Sequence, residues 1–372
     1  MQLEGLYLNN FKNNRESKLM LSPRINIFVG ENGAGKTNIL EAIYYLSFCK
    51  SPFNPTDKQN IMHNENYFML RGEYLLKKES KEIVNISFKA GERKKIKRNE
   101  KEYDRISDHI GEFPLVMISP SDSKLIYGAS EDRRKYIDGV ISQFDHNYLH
   151  TLLNYNKVLQ QRNSYLKANA NSSTIDHSLL DIFDEKLSLY GEEVHKKRHA
   201  FLISFIPLVQ NYYLFISDEK ERAGIRYKSQ LKDNNFFNLL KNNRQRDLIL
   251  RHSSIGIHRD DIEFMLNDFP IKRYGSQGQQ KSFLIALKIA QFEYTYKKKN
   301  YKPLLLLDDI FDKLDIYRVK QLMKLVSRNE FGQIFVTDTN EERIHTIFEK
   351  IDVAKKIFMV NQGKIKQIIT VR

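Results

Sequence analysis

Gly30, Gly33, Gly35, Lys36 and Thr37 fall in the run GENGAGKTN and satisfy the spacing G-x-x-x-x-G-K-[ST]. Residues of these types at this spacing do phosphate chemistry. The glycines let consecutive backbone N–H groups of Gly30, Glu31, Asn32, Gly33, Ala34 and Gly35 turn inward around an anion, and a following helix adds its positive end. Lys36 would reach the β- and γ-phosphates of a nucleoside triphosphate, and the Thr37 hydroxyl would ligate Mg2+. A second cluster, PLLLLDD at 303–309, ends in two carboxylates. Asp308 would hold the Mg2+ shell, and Asp309 would orient or polarise an attacking water, which makes Lys36 and Asp309 the catalytic candidates. A third stretch, YGSQGQQKS at 274–282, places small and amide-bearing residues directly before the apolar run FLIALKIAQF. Ser and Gly in that position start helices, and they also let a phosphate approach a helix N-terminus.

The flanking patterns supply elements to hold these groups. INIFVG reads as a strand and ILEAIYYLSF as a helix, which gives the phosphate loop its strand–loop–helix setting. The four leucines before Asp308 predict a parallel strand buried on both faces, expected beside the phosphate-loop strand. Leu314 and Asp315 follow, then a further strand, QIFVTDT, predicted to end at Thr337. Guanine specificity is disfavoured, because the single Asn-Lys pair, in NKVL at 156–159, lacks an Asp two residues later.

The chain has 372 residues, 41% hydrophobic, enough for two or three units with real cores. Net charge is +14, from 60 Lys and Arg against 46 Asp and Glu, which favours a polyanionic partner such as nucleic acid. Cys49 is the sole cysteine; it excludes an internal disulfide, suits a reducing cytoplasm and lies among apolar residues where core is expected. The first residues lack a signal-peptide pattern, and no run of about 18 apolar residues is found, so a membrane role is not expected.

In order, the motifs are phosphate loop, long insertion, Ser276-x-Gly278-Gln279, apolar helix, Leu-rich strand, Asp-Asp, Leu-Asp and Val-Thr. That order is similar to an ABC-type ATPase head, in which the S-x-G-Q signature meets the γ-phosphate held by the other subunit of a head-to-tail dimer. The likeness narrows at SPSDSKLIYGASEDRRKYID (119–138), YNKVLQQRN (155–163), GIHRDD (256–261) and SQGQQK (276–281). Through these blocks the chain resembles the RecF family of bacterial recombination-mediator ATPases, over nearly its whole length. The resemblance implies ATP and Mg2+ as cofactors and an ATP-dependent homodimer acting as a slow, switch-like ATPase. It further implies binding to duplex, single-stranded or gapped DNA, RecR and RecO proteins as partners, and a role in repair, replication restart and SOS induction. An SMC- or Rad50-like head and a transporter subunit are the alternatives. The first is opposed by the lack of a long coiled coil, the second by the charge and the Arg133–Asp138 block.

Three departures from that pattern stand out. Lys12 occupies a position where the family usually has Arg, FPLVMISPSD (113–122) carries no Gln for a Q-loop, and Asp309 replaces a common Glu. The stripe Leu180, Phe183, Leu187, Tyr190 and Val194 has helical spacing, fails at Lys197 and meets Pro207, which predicts the core of a helical lobe. For DNA, IVNISFKAGERKKIKR (83–98) reads as a hairpin with Arg93, Lys95 and Lys97 on one face and Lys94, Ile96 and Arg98 on the other. An edge strand protected by lysines is the competing reading. Arg133 and Arg134 are further DNA candidates, with Ser130, Glu131 and Asp132 as alternative local partners; Lys196–Arg198 and Lys297–Lys299 complete the basic clusters. The expected fold is an α/β ABC-type, SMC- and Rad50-like head. Residues 1–118 and 297–372 form lobe I, and residues 119–296 form a mostly helical lobe II carrying the signature.

Overall fold

The runs INIFV, LVMI, LLLLD and IFVTD leave no polar face, and each becomes a strand buried along its whole length. In the computed structural model the described residues are 1–76, 80–169, 175–217, 221–231, 235–311, 316–327, 331–348 and 353–371. Their strands, in chain order, are β1 Gln2–Phe11, β2 Asn14–Met20, β3 Ile25–Val29, β4 Tyr67–Leu75, β5 Lys81–Lys89, β6 Lys95–Arg98, β7 Lys101–Glu102 and β8 Leu115–Ile118; then β9 Ala223–Lys228, β10 Asp261–Leu266, β11 Phe269–Pro270, β12 Leu304–Asp308, β13 Ile334–Asp338, β14 Lys355–Asn361 and β15 Lys364–Val371.

The chain divides into two units. The first comprises Met1–Asp122, Phe215–Asp218 and Leu284–Arg372; the second comprises Ser123–Leu214 and Glu219–Phe283. The later boundary, between Phe283 and Leu284, falls inside the helix Gln277–Lys299.

Unit 1 holds two sheets. One has the order β15-β14-β3-β13-β12-β8, parallel throughout except for the β14–β15 hairpin. Its order corrects one expectation: β13 lies between the phosphate-loop strand β3 and the acidic strand β12. The hairpin turns at Gln362 and Gly363, with φ of 46° and 78°, as a two-residue turn that follows the strand twist requires. A Cβ at Gly363 would lie 2.0 Å from Asn13 O, so only glycine lets the turn reach the phosphate loop, where its N–H donates to Ala34 O at 2.9 Å.

The second sheet is antiparallel, ordered β2-β1-β4-β5-β6-β7. The helix Lys36–Phe48 shares one core with both sheets: Leu6 and Leu8 of β1, Phe68 of β4, Leu304 and Leu306 of β12 and Phe335 of β13 join its Leu40, Ile43 and Leu46. Enclosure by both sheets explains why this helix is buried on nearly every side, Glu41 and Ser47 included. Cys49 caps its C-terminus at φ 54°, buried, and desolvation pushes the thiol up to about 12, so it stays protonated and inert.

Unit 2 contains the helices Ser130–Ser142 and His146–Ala168, most of a 41-residue helix His177–Ser217, and the small sheet β11-β10-β9. The long helix corrects the predicted stripe. It does not stop at Lys197 or Pro207; Leu180, Leu187, Val194 and Phe201 are buried at intervals of seven, and so are Asp184, Gly191, Arg198 and Phe205. Phe183 and Tyr190 sit half-buried at the margin. The apolar pattern broke because two core positions carry charge, each balanced by buried ion pairs. Arg198 donates to both Asp138 oxygens at 2.8 Å and to Asp260 at 3.0 Å. Asp184 accepts from Arg162 at 2.7 Å and Arg244 at 2.8 Å. By length and composition this helix is also apolar enough to cross a membrane, although no uninterrupted run of about 18 apolar residues occurs in it. Phe201, Leu202, Phe205, Val209, Tyr213 and Ile216 turn its apolar half into the core.

Candidate nucleotide and DNA sites

The phosphate loop runs from the end of β3 to the helix Lys36–Phe48, with Gly35 at the helix N-cap in the left-handed region, φ 111°. A Cβ at Gly35 would meet the Asn13 side chain at 2.7 Å, whereas one at Gly33 would meet nothing within 4 Å, so the loop is open on that side. Asn13 donates to Ala34 O at 3.1 Å and accepts from Asn38 at 2.8 Å, which braces the loop from β1–β2. Neither asparagine was singled out by motif spacing. Lys12 is turned elsewhere, paired at 3.0 Å with the buried Glu41.

Lys36 is 7% exposed, and its ammonium donates to Gly30 O and Glu31 O, both at 2.8 Å. Burial lowers its pKa, while Asp309, Asp308 and Asp338 oppose that effect. A buried cation whose hydrogen bonds among the described residues go to carbonyl oxygens alone retains a free N–H for a phosphate.

Thr37 Oγ1 donates to Asp308 Oδ1 at 2.9 Å, which joins the phosphate loop to the end of β12. Because β13 intervenes, its last residues complete the site. Thr337 Oγ1 donates to Asp308 Oδ1 at 2.8 Å and accepts from Asp309 N–H at 2.9 Å. Burial raises the Asp308 pKa against the two hydroxyl donors that favour its charged form. Asp309 stands in the left-handed region at φ 49° and lines, with Gly33, Lys36, Thr37 and Thr337, a cavity of about 160 Å3. The hydroxyl and carboxylate oxygens of Thr37 and Asp308, beside a loop open for phosphate, suit a hard cation such as Mg2+. β13 extends one residue past Thr337, to Asp338, which is buried and accepts from Arg343 at 2.6 and 3.2 Å. The predicted Leu314-Asp315 lies outside the described residues.

Ser276 and Gln279 open the helix Gln277–Lys299 with a reciprocal cap: Gln279 N–H donates to Ser276 Oγ at 3.2 Å, and Ser276 N–H donates to Gln279 Oε1 at 2.5 Å. Gln279 also donates to Glu221 at 2.6 Å. Ser276 remains exposed, and Gly278 is half-exposed in the first turn.

The basic hairpin forms from β5 and β6 with its two faces as the alternation predicts. Inward, Ile96 is buried, Lys94 bonds Asp57 at 2.9 Å and Tyr45 OH at 3.0 Å, and Arg98 pairs with Glu82 at 3.0 Å and Glu112 at 2.8 Å. Outward, Arg93 and Lys95 are exposed and Lys97 is half-exposed.

Arg133 does not present the surface a phosphate contact needs, whereas Arg134 is half-buried. Arg133 is 8% exposed and grips Asp261 through two bonds at 2.9 and 3.1 Å, a distant acid and not the local ones. Arg134 donates to Ser130 at 2.8 Å and Asp260 O at 2.6 Å. Of Lys196–Arg198, Arg198 is buried and Lys197 pairs with Asp145 at 2.5 Å.

A phosphate loop whose threonine meets a strand-end aspartate across an intervening strand, with an S-x-G-Q helix start in the insertion between them, defines an ATPase head of the ABC and SMC kind. Residues 2–366 match the family described as RecF/RecN/SMC N terminal domain. The chain is 47% identical to "DNA replication and repair protein RecF" of Phocaeicola vulgatus, over 99% of this chain and 98% of that one. It is also 47% identical to the protein of the same name from Flavobacterium johnsoniae, over 96% and 99%. The fold superimposes on the recombination mediator protein RecF-ATP in the RecFOR pathway with a TM-score of 0.89 and 30% identity, covering 99% and 98% of the two chains. An SMC head from Pyrococcus furiosus, at 15% identity and a TM-score of 0.58 over 100% and 96%, shares the fold. The chain belongs to the RecF family.

Proposed function

We propose that this chain is an ATP-dependent DNA-binding switch of the RecF type. ATP closes a head-to-tail homodimer on duplex, single-stranded or gapped DNA, and slow hydrolysis, stimulated by DNA, reopens it. The carrying observation is Gly278 in the first turn of the signature helix. The cap needs Ser276 and Gln279, whereas a glycine inside a helix costs about 1 kcal/mol relative to alanine and gives the cap nothing. Close approach of a partner-held phosphate to an exposed helix N-terminus accounts for it.

In this reading Gly30–Thr37 hold the triphosphate by backbone N–H groups, and Lys36 compensates the β/γ charge. Mg2+, when bound by Thr37 and Asp308, neutralises charge that develops on the phosphate oxygens. Thr337 fixes Asp308 and the Asp309 backbone, and Asp309 orients the attacking water. Its side chain, shorter than glutamate, suits a slow timer. Ser276, Gly278 and Gln279 complete the partner's site. Arg93, Lys95 and Lys97 supply phosphate contacts without base readout. The RecF-ATP relative is assigned to the RecFOR pathway, which supports RecO and RecR as partners, in the cytoplasm, for recombinational repair, replication restart and the SOS response.

The test is a mixing experiment. Ser276→Arg keeps its own phosphate loop and should bind ATP, yet neither dimerise nor hydrolyse it alone. Mixed with Lys36→Ala, one hybrid site combines an intact loop with an intact signature, and hydrolysis should partly recover. A Ser276→Arg protein that dimerises and turns over ATP normally by itself reduces the signature to a helix cap.

A further inference from the structure

Unit 2 contains a cleft of about 450 Å3 that the nucleotide chemistry does not use. Arg226 and Lys228 reach it from β9, Asp261 and Glu263 from β10, and Lys272 and Arg273 from the short helix Ile271–Tyr274. Arg226 stands opposite Glu263 and Lys228 opposite Asp261 in the strand register, so all four side chains share one face. With Arg133, five cations line the cleft against two carboxylates. Both carboxylates are committed: Asp261 to Arg133 through two bonds, and Glu263 to Lys228 at 2.7 Å. Lys272 uses one donor, on Tyr127 O at 2.8 Å. Arg226 and Arg273 are exposed and have no ion pair among the described residues.

Aromatic rings border this charge. Phe269 and Tyr274, 58% and 67% exposed, flank the lining segment 270–273 with their ring centroids 5.2 Å apart. A cationic track alone would take any polyanion. Accessible ring faces beside it suit unpaired bases, which stack on them, whereas a duplex keeps its bases stacked inside and an acidic peptide gains little from them.

We propose that this cleft binds single-stranded DNA, with phosphates on Arg226, Lys272 and Arg273 and bases against Phe269 and Tyr274. It is distinct from the basic hairpin of unit 1. It is also fastened to the signature segment. Gln280 donates to Ile271 O at 3.2 Å and Gly275 O at 3.0 Å and accepts from Tyr127 OH, which pins the basic helix to the turn carrying Ser276.

Two double variants of the full chain test it by fluorescence anisotropy across a salt series. The probes are labelled oligothymidylate, a blunt duplex and inorganic polyphosphate. Arg226→Ala with Arg273→Ala should flatten the log–log salt slope for oligothymidylate by about 1.4, near 0.7 per lost contact. Phe269→Ala with Tyr274→Ala should weaken oligothymidylate about tenfold or more while leaving polyphosphate binding unchanged. Wild-type oligothymidylate binding by either variant overturns the proposal. So does an aromatic variant that weakens polyphosphate equally, which would make the cleft a general anion site. ATP affinity and duplex binding, read on the same proteins, report separately on the switch and the hairpin.

Discussion

Replacing Thr337 by valine keeps the volume of a fully buried side chain and removes one oxygen that makes two hydrogen bonds. Its bond to the Asp308 carboxylate is of the charge-assisted kind, worth about 1.5–3 kcal/mol, and the Asp309 N–H it accepts from would be stranded at about 1–3 kcal/mol. Thr37 still donates to Asp308 at 2.9 Å, and the new methyl recovers about 0.8 kcal/mol. The expected net loss of stability is therefore about 2–5 kcal/mol, measured by urea denaturation of the nucleotide-free chain. Function should divide along the same lines. Nucleotide affinity should change little, because Lys36 and the loop are untouched. Turnover should fall about tenfold or more, because Asp309 loses the tether that holds it at φ 49°, a backbone region costing about 1–2 kcal/mol for a residue other than glycine. Thr337→Ser should restore both properties. Wild-type turnover by Thr337→Val, at unchanged stability, would refute the bridge between β12 and β13.

Lys36→Ala should abolish productive ATP binding with the fold intact, seen as lost affinity by calorimetry and an unshifted far-ultraviolet spectrum. Lys95→Glu with Lys97→Glu should weaken duplex binding about equally on all sequences and flatten the salt slope by about 1.8, whereas an unchanged slope removes the hairpin from the DNA site. Arg198→Met should cost about 3–5 kcal/mol in denaturant, because it leaves Asp138 and Asp260 without their cation. His258 has its pKa lowered to about 4, chiefly by burial, from an ordinary 6.5. The unfolded chain then binds more protons between those values, so the stability this group contributes is present above pH 6.5 and lost as pH falls toward 4. At most about 3 kcal/mol is involved, and His258→Gln should remove that part of the slope in pH-dependent melting.

The sequence by itself determined the phosphate loop, its strand and helix, the buried acidic strand, the signature cap and the two faces of the basic hairpin. Each of these signals is local: a motif of eight residues, an apolar run or a period of two is complete within one element. Tertiary structure decided which elements meet. Thr37 and Asp308 lie 271 residues apart yet are hydrogen-bonded directly, and only the strand order, with β13 between β3 and β12, puts Thr337 where it braces Asp308 and the Asp309 backbone. The same limit explains the long helix. A period of seven held throughout, yet Asp184 and Arg198 concealed it, because a charged residue reads as surface until its buried partners are known. Arg133 erred in the opposite sense: an arginine in an adjacent pair looks like a DNA contact in sequence, and Asp261, 128 residues further on, holds it inside the fold. Charge is legible in a sequence, but its availability depends on desolvation and pairing, and those are properties of the folded chain.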